Sequence, residues 1–233
     1  MKLRIATRGS NLALVQTRWV GAALKARFAG LEIEEVHVRT QGDRIQDRPL
    51  AQVGGKGLFV SEVEAVVVRG EADFAVHSLK DVPGDVPLAQ GMEILSVPVR
   101  EDPRDVLVTV DGADLASLPR GAKVGTTSRR RVVQLQRQRP DLVFVPLRGN
   151  IETRIRKLHE GQCDAIVLAA AGLARTGVLA NTPHSVLPPD ICLPAVGQGA
   201  LAIEGAIADE ALRNKLGTIE DRTARVQISA ERA

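Results

Sequence analysis

Tyrosine is missing from the 233 residues, and aromatic side chains of any kind are scarce, one Trp and four Phe. Unpaired bases stack on aromatic platforms, so this shortage counts against single-stranded nucleic acid as a partner. Cysteine is rare as well. Cys163 and Cys192 are the two thiols. Their separation is not that of metal ligands and no secretory segment accompanies them, so reduced thiols in a cytoplasmic protein are expected, with neither a structural zinc nor a disulfide. Long apolar runs are missing too. The longest, Ala165 to Ala174, has ten residues between Asp164 and Arg175, short of the roughly 18 that span a bilayer. Met1-Lys2 leads directly into Leu3-Arg4-Ile5-Ala6 without the apolar centre of an export signal. Neither membrane nor export is therefore expected. Charge of one sign is not in large excess: 31 basic against 28 acidic residues leave +3, a mild preference for anionic ligands.

What is present is ordinary globular material, 44% hydrophobic and 25% charged, enough for one or two domains with a real core. Strand and helix patterns alternate. "LRIAT" reads as a strand, "SNLALVQTRWVGAALKARF" has helical apolar spacing with Ser10 or Asn11 as its cap, and "IEEVHVRT" returns to strand alternation. The pattern repeats with a helix from Ser61, a stop at Gly70 and a strand from Ala72. From about Pro103 to Pro194, "DVLVTV", "AKVGT", "LVFVPL" and "DAIVLAAAG" read as strands, the last running into a loop, with "SRRRVVQLQRQR" and "NIETRIRKLHEG" as helices. "ALAIEGAI" is a further strand, and two helical stretches follow from about Asp209. An α/β fold of two units with mixed, mostly parallel sheets follows, and a ligand cleft is expected between them.

Chemistry collects at the strand ends. "HSLKDVP" ends a buried strand on Lys80 and Asp81, neighbours that point to opposite sides of an extended chain and so do not neutralise each other. A solvated turn closed by Pro83-Gly84 is the plain alternative. "ATRGS" brings Arg8 and Ser10 to a helix start, and "GTTSRRR" brings Thr126, Thr127 and Ser128 ahead of Arg130 and Arg131. Helix starts offer free N–H groups to carboxylates or phosphates, although Thr126 to Ser128 could equally serve as a cap. Arg148 and Arg154 add planar forks suited to carboxylates. The five arginines between Arg129 and Arg139 also admit a solvated face or a nucleic-acid patch. Residues 40–59 form a glycine-rich loop in which Lys56 stands between glycines, either a lid or a plain surface loop.

"RIATRGSNLAL", "TQGD", "VGGKGLF", "AVHSLKDVP", "REDPRDVLV", "GTTSRRR", "RPDL", "LRGNIETRIRKL", "DAIVLAAAGLAR" and "LPAVGQGALAIE", in this order from Arg4 to Glu204, resemble the successive signatures of the porphobilinogen deaminase (hydroxymethylbilane synthase) family, and "SAERA" continues the match. The resemblance implies a transferase of tetrapyrrole and heme biosynthesis. Such an enzyme condenses four porphobilinogens head to tail, loses ammonia each time, and builds the chain on a covalent dipyrromethane cofactor. It implies two lobes like those of type II periplasmic binding proteins, with residues 1–99 and 198–233 as domain 1 and residues 100–197 as domain 2. A cytoplasmic monomer acting on porphobilinogen, without nucleic acid or membrane, is expected.

Carried over motif by motif, Asp81 is the catalytic carboxylate. Lys80, Asp81, Thr126, Ser128, Arg130, Arg131 and Arg154 hold the cofactor. Arg8, Ser10, Arg148, Arg154, Arg175 and Gln198 hold substrate, and Lys56 belongs to a lid that keeps water from the reactive cation. Arg129 stands where the family has an apolar residue. The family anchors its cofactor on a cysteine in a small third α+β domain after "AERA", whereas this sequence stops at Ala233. The third domain and its thiol are thus read as absent, the chain as truncated or as a two-lobed relic, and its activity as doubtful. The competing class is a non-catalytic soluble binding protein for a small polycarboxylate.

Overall fold

The computed structural model describes residues 1–40, 57 and 60–233, which fall into two compact units: Met1–Glu101 with Ala200–Ala233, and Asp102–Gly199. In the first unit, β1 (Lys2–Arg8), β2 (Glu32–Val38), β3 (Phe74–Ser78), β4 (Met92–Ser96) and β10 (Leu201–Ala206) form one sheet in the order β2-β1-β3-β10-β4. β1 pairs in parallel with β2 and β3, while β10 runs antiparallel to β3 and β4. Its helices are α1 (Asn11–Lys25), α2 (Ser61–Val68), α6 (Glu210–Gly217) and α7 (Arg222–Arg232). Ser10 is the cap of α1, its hydroxyl accepting from the Ala13 amide.

Period-two alternation sorts large and small side chains onto opposite faces of this sheet. Ile5, Phe74, Val76, Leu201 and Ile203 face Val20 and Leu24 of α1 and Leu212 and Leu216 of α6. On the other face the small Ala6 and Ala75 receive Val63, Val66 and Val67 of α2, and Ala200 and Ala202 receive Ala224 and Ile228 of α7. With both faces covered, the central strands read as nearly continuous apolar runs.

The second unit repeats the scheme. Its strands β5 (Asp105–Val108), β6 (Lys123–Gly125), β7 (Val143–Val145), β8 (Ala165–Ala169) and β9 (His184–Leu187) lie in the order β7-β6-β8-β5-β9. β6 is parallel to β7 and β8, and β5 is antiparallel to β8 and β9. α3 (Arg129–Gln138) buries Leu135 against Leu107, Val124 and Val167. α4 (Ile151–His159) and α5 (Ala170–Arg175) cover the other face through Leu158 and Leu173.

Two sequence expectations are corrected. The apolar run from Ala165 does not pass into a loop: after Ala169 it turns directly into α5, because Ala170, Ala171 and Leu173 can stay buried only on a helix packed back on the sheet. Nor does β3 reach Lys80. It ends at Ser78, and Leu79–Asp81 form one turn of 3-10 helix closed by the Val82 amide on the Leu79 carbonyl. Lys80 and Asp81 therefore diverge by about 120° rather than standing on opposite sides of a strand.

Candidate functional site

In the first unit, the sequence-marked residues gather at the carboxyl ends of β1 and β3, which are adjacent and parallel. This is the edge of an α/β sheet where ligands are held. Arg8 closes β1, Ser10 opens α1, and the turn after β3 carries exposed Lys80 and half-buried Asp81. Leu79, fully buried, anchors that turn, and its amide bonds to the Ala200 carbonyl. From the far side Arg232 of α7 donates to the carbonyls of Val82 and Pro83 at 3.0 and 2.7 Å. The Asp81 carboxylate thus sits on a short, tightly held turn.

In the second unit, Thr126 follows β6, Arg148 follows β7, and Arg175 ends the helix after β8, so this group too lies beyond the carboxyl ends of parallel strands. Thr126 is buried and its hydroxyl accepts from the Ser128 amide at 3.2 Å. Ser128 stands at the cap position of α3, but its side chain makes no capping bond. The expected alternative of an ordinary side-chain cap is therefore not what these residues do.

Three arginines occupy the first turn of α3, where the helix dipole disfavours cations. A carboxylate from another strand compensates. Asp105, fully buried at the start of β5, accepts from Arg130 at 2.6 Å and Arg131 at 2.7 Å. Gln198 donates to it at 2.9 Å and the Cys192 thiol lies 3.5 Å away. Burial pushes the Asp105 carboxyl up, but Arg131 and Arg130 outweigh it and hold it below the usual range. Arg130 also reaches the Leu193 carbonyl, Arg131 the Val167 carbonyl at 2.8 Å, and Gln198 the Pro103 carbonyl at 2.6 Å. Exposed Arg129 has no part in this hub among the described residues. Sequence reasoning missed Asp105; the signal available was three cations at the wrong end of a helix.

Arg154, one turn into α4, donates to the Gly149 carbonyl at 2.8 Å. Burial, then Arg131, then Arg148 push its guanidinium down to about 10. Arg131 Nε is buried with no hydrogen-bond partner. Asp105 brings Arg130, Arg131 and Gln198 together, and Arg131, Arg148 and Arg154 form an adjoining cationic group. Arg175 donates to the Gly199 carbonyl at 2.7 Å. Lys56 lies outside the described residues. Among the described residues no group of three or more His, Cys, Asp or Glu is placed to hold a metal ion, and no helix is long and apolar enough to cross a membrane.

Both thiols are buried. Burial raises Cys163, and burial with the Asp105 charge pushes Cys192 up to about 11. Neither resembles the exposed, low-pKa thiol that reacts readily.

A family model described as "Porphobilinogen deaminase, dipyromethane cofactor binding domain" matches residues 3–214. A porphobilinogen deaminase of Sorangium cellulosum (strain So ce56) is 51% identical over 232 residues, covering 100% of this chain and 76% of that protein. One from Geobacter sulfurreducens is 50% identical over 232 residues, covering 100% and 72%. The crystal structure of the methionine-binding protein MetQ superposes with a TM-score of 0.55 at 11% identity, covering 99% of this chain and 94% of that one. At that identity the likeness concerns the fold alone, that of a type II periplasmic binding protein.

Proposed function

Because the chain belongs to the porphobilinogen deaminase family, transferases that make hydroxymethylbilane for tetrapyrrole biosynthesis, we propose that Asp81 is its catalytic carboxylate. We propose also that Arg131, Arg148 and Arg154 receive the acidic arms of the growing chain. The observation that carries this is Arg154: its guanidinium is held by the Gly149 carbonyl at 2.8 Å, and burial together with Arg131 and Arg148 opposes its charge. Such a cluster is costly unless an anion completes it.

Dipyrromethane, the family's cofactor, bears carboxylate arms, and these residues fit it. The buried Nε of Arg131 lacks an acceptor, and the Ser128 hydroxyl is left over at the start of α3. When bound, the cofactor supplies the pyrrole carbon to which the first porphobilinogen is joined. The thiols of Cys163 and Cys192 do not fit a covalent link, being buried and raised in pKa. Lys80, Thr126 and Arg130 are assigned to the same cofactor, Arg130 through its bond to Asp105. Arg8, Ser10, Arg175 and Gln198 are assigned to substrate.

Departure of ammonia from an aminomethylpyrrole leaves a cationic azafulvene. A fixed carboxylate stabilises that cation and accepts the proton displaced when the next pyrrole carbon attacks. Asp81 suits the task because its turn is clamped by Leu79 beneath and Arg232 behind, so little reorganisation accompanies the change in charge. A cytoplasmic monomer acting on free porphobilinogen completes the proposal. Calorimetric titration with porphobilinogen, alongside an assay of ammonia release, tests it. Binding lost in Arg154→Met supports the assignment of the arms. Unchanged binding removes it, and binding without ammonia favours a carboxylate-binding protein.

A further inference from the structure

Behind the turn that carries Asp81, the first unit buries titratable groups that the assignments above leave unused. Glu204 on β10 pairs with Ala75 on β3, two residues before His77, so Glu204 and His77 project from the same face of the sheet. Both are buried, and His77 Nε2 lies 3.1 Å from Glu204 Oε2. The approach is off the hydrogen-bonding direction, and Nε2 and both Glu204 oxygens are left without a partner. α2 packs on that face and brings the Glu64 carboxyl to Glu204, while a Glu64 oxygen accepts from the Ala89 amide.

Two ionised carboxylates cannot meet in this way. Neither offers a donor, and a buried anion with no hydrogen bond to either oxygen is strongly disfavoured. One proton between them supplies the missing donor and docks helix to strand. The docking reaches the turn: Val60, at the start of α2, packs in one cluster with Leu79 and Val82, which flank Lys80 and Asp81.

We propose that Glu64 and Glu204 are positioning residues which, by sharing one proton, hold α2 on the sheet and thereby hold Asp81 in place. Burial and the adjacent Glu204 push Glu64 up to about 7, burial raises Glu204, and burial pushes His77 down to about 4, leaving a neutral imidazole. Other charges face the cluster from its neighbours. Arg8 of β1 and Asp81 of the turn act on His77, and Arg232 of α7 binds the end of the turn. Glu93 of β4 is engaged by Arg213 at 2.7 Å. At the far end of the sheet Arg4 pairs with Asp73 and Lys2 with Glu34.

The sign follows from linkage. A carboxyl that binds its proton more tightly in the folded state stabilises docking fully below the ordinary Glu range, and that contribution is lost as pH rises through about 7. Hydrogen exchange of the α2 amides, corrected for intrinsic rates, tests the shared proton in the whole protein. Between pH 6 and pH 9 exchange should accelerate by roughly tenfold, the part of the lost contribution that lies between pH 6 and about 7. Glu64→Gln, whose amide donates without titrating, should abolish the acceleration, whereas Glu64→Ala should exchange fast at both values. Protection that is independent of pH in the native protein overturns the shared proton.

The link to Asp81 rests on the catalytic reading above and has its own readout. The alkaline limb of the rate of ammonia release from porphobilinogen should disappear in Glu64→Gln. If the exchange switch is present but the limb is unchanged, the positioning of Asp81 is overturned while the shared proton stands.

Discussion

Replacing Asp105 by Asn removes the carboxylate that pairs with Arg130 and Arg131 at the start of α3. The native group is fully buried and takes two charged hydrogen bonds, 2.6 Å from Arg130 and 2.7 Å from Arg131, together with one from Gln198 at 2.9 Å. Asparagine keeps a single acceptor oxygen and turns an N–H₂ group toward the other guanidinium. Breaking a buried ion pair from one side costs about 3–5 kcal/mol. Arg131, with its side chain 8% exposed, cannot recover by hydration, whereas Arg130 at 24% can in part. The expected loss is therefore about 3 kcal/mol, the lower end of that range.

Urea unfolding at neutral pH measures it as a lower midpoint at unchanged slope. The loss should change little with added salt, because the pair is shielded from mobile ions. The Asp105 carboxyl is held below its usual range, so the pair's contribution is complete above about pH 4 and is lost as pH falls through the folded value. Asp105→Asn should flatten that acid limb. A loss under about 1 kcal/mol, the size expected of an exposed pair, would refute the hub.

Arg154→Met relieves repulsion from Arg131 and Arg148, so unfolding assays should find the ligand-free protein no less stable while calorimetry finds porphobilinogen bound at least about tenfold more weakly, as for loss of one charged hydrogen bond. Gly149 has φ +126, and an added Cβ would meet Thr153 Cγ2 at 2.6 Å. Gly149→Ala should therefore cost about 1–3 kcal/mol in unfolding assays, and it should weaken binding as well, because the Gly149 carbonyl orients Arg154.

Much of the architecture was legible because its signals are local. β1, α1 and β2 follow from apolar spacing and the Ser10 cap, and α6 and α7 from the polar break at Asp209, which caps α6. Strand direction is not local: nothing in the period of "ALAIEGAI" distinguishes an antiparallel β10 from a parallel strand. The edge strands β4 and β9 are short and half-polar at their outer faces, and passed unnoticed. The turn at Leu79–Asp81 was hidden because Leu79 continues the apolar run of β3 while leaving its geometry.

The site divides in the same way. Arg130, Arg131, Arg148 and Arg154 stand out in sequence as cations at strand-to-helix junctions, but Asp105, which holds two of them, sits 25 residues away in a different motif. The contact of His77, Glu204 and Glu64 exists only after β3, β10 and α2 have met, so no spacing announces it.

The central claim is that the Asp81 carboxylate, on its clamped turn, stabilises the cation left when ammonia departs. Single-turnover ammonia release from porphobilinogen by Asp81→Asn, compared with the native holoprotein, tests it most directly. Loss of one preorganised charge contact from a transition state costs on the order of 10²–10³ in rate. The account predicts a drop of at least that size, with porphobilinogen binding and the urea midpoint retained. Ammonia release at the native rate would contradict it.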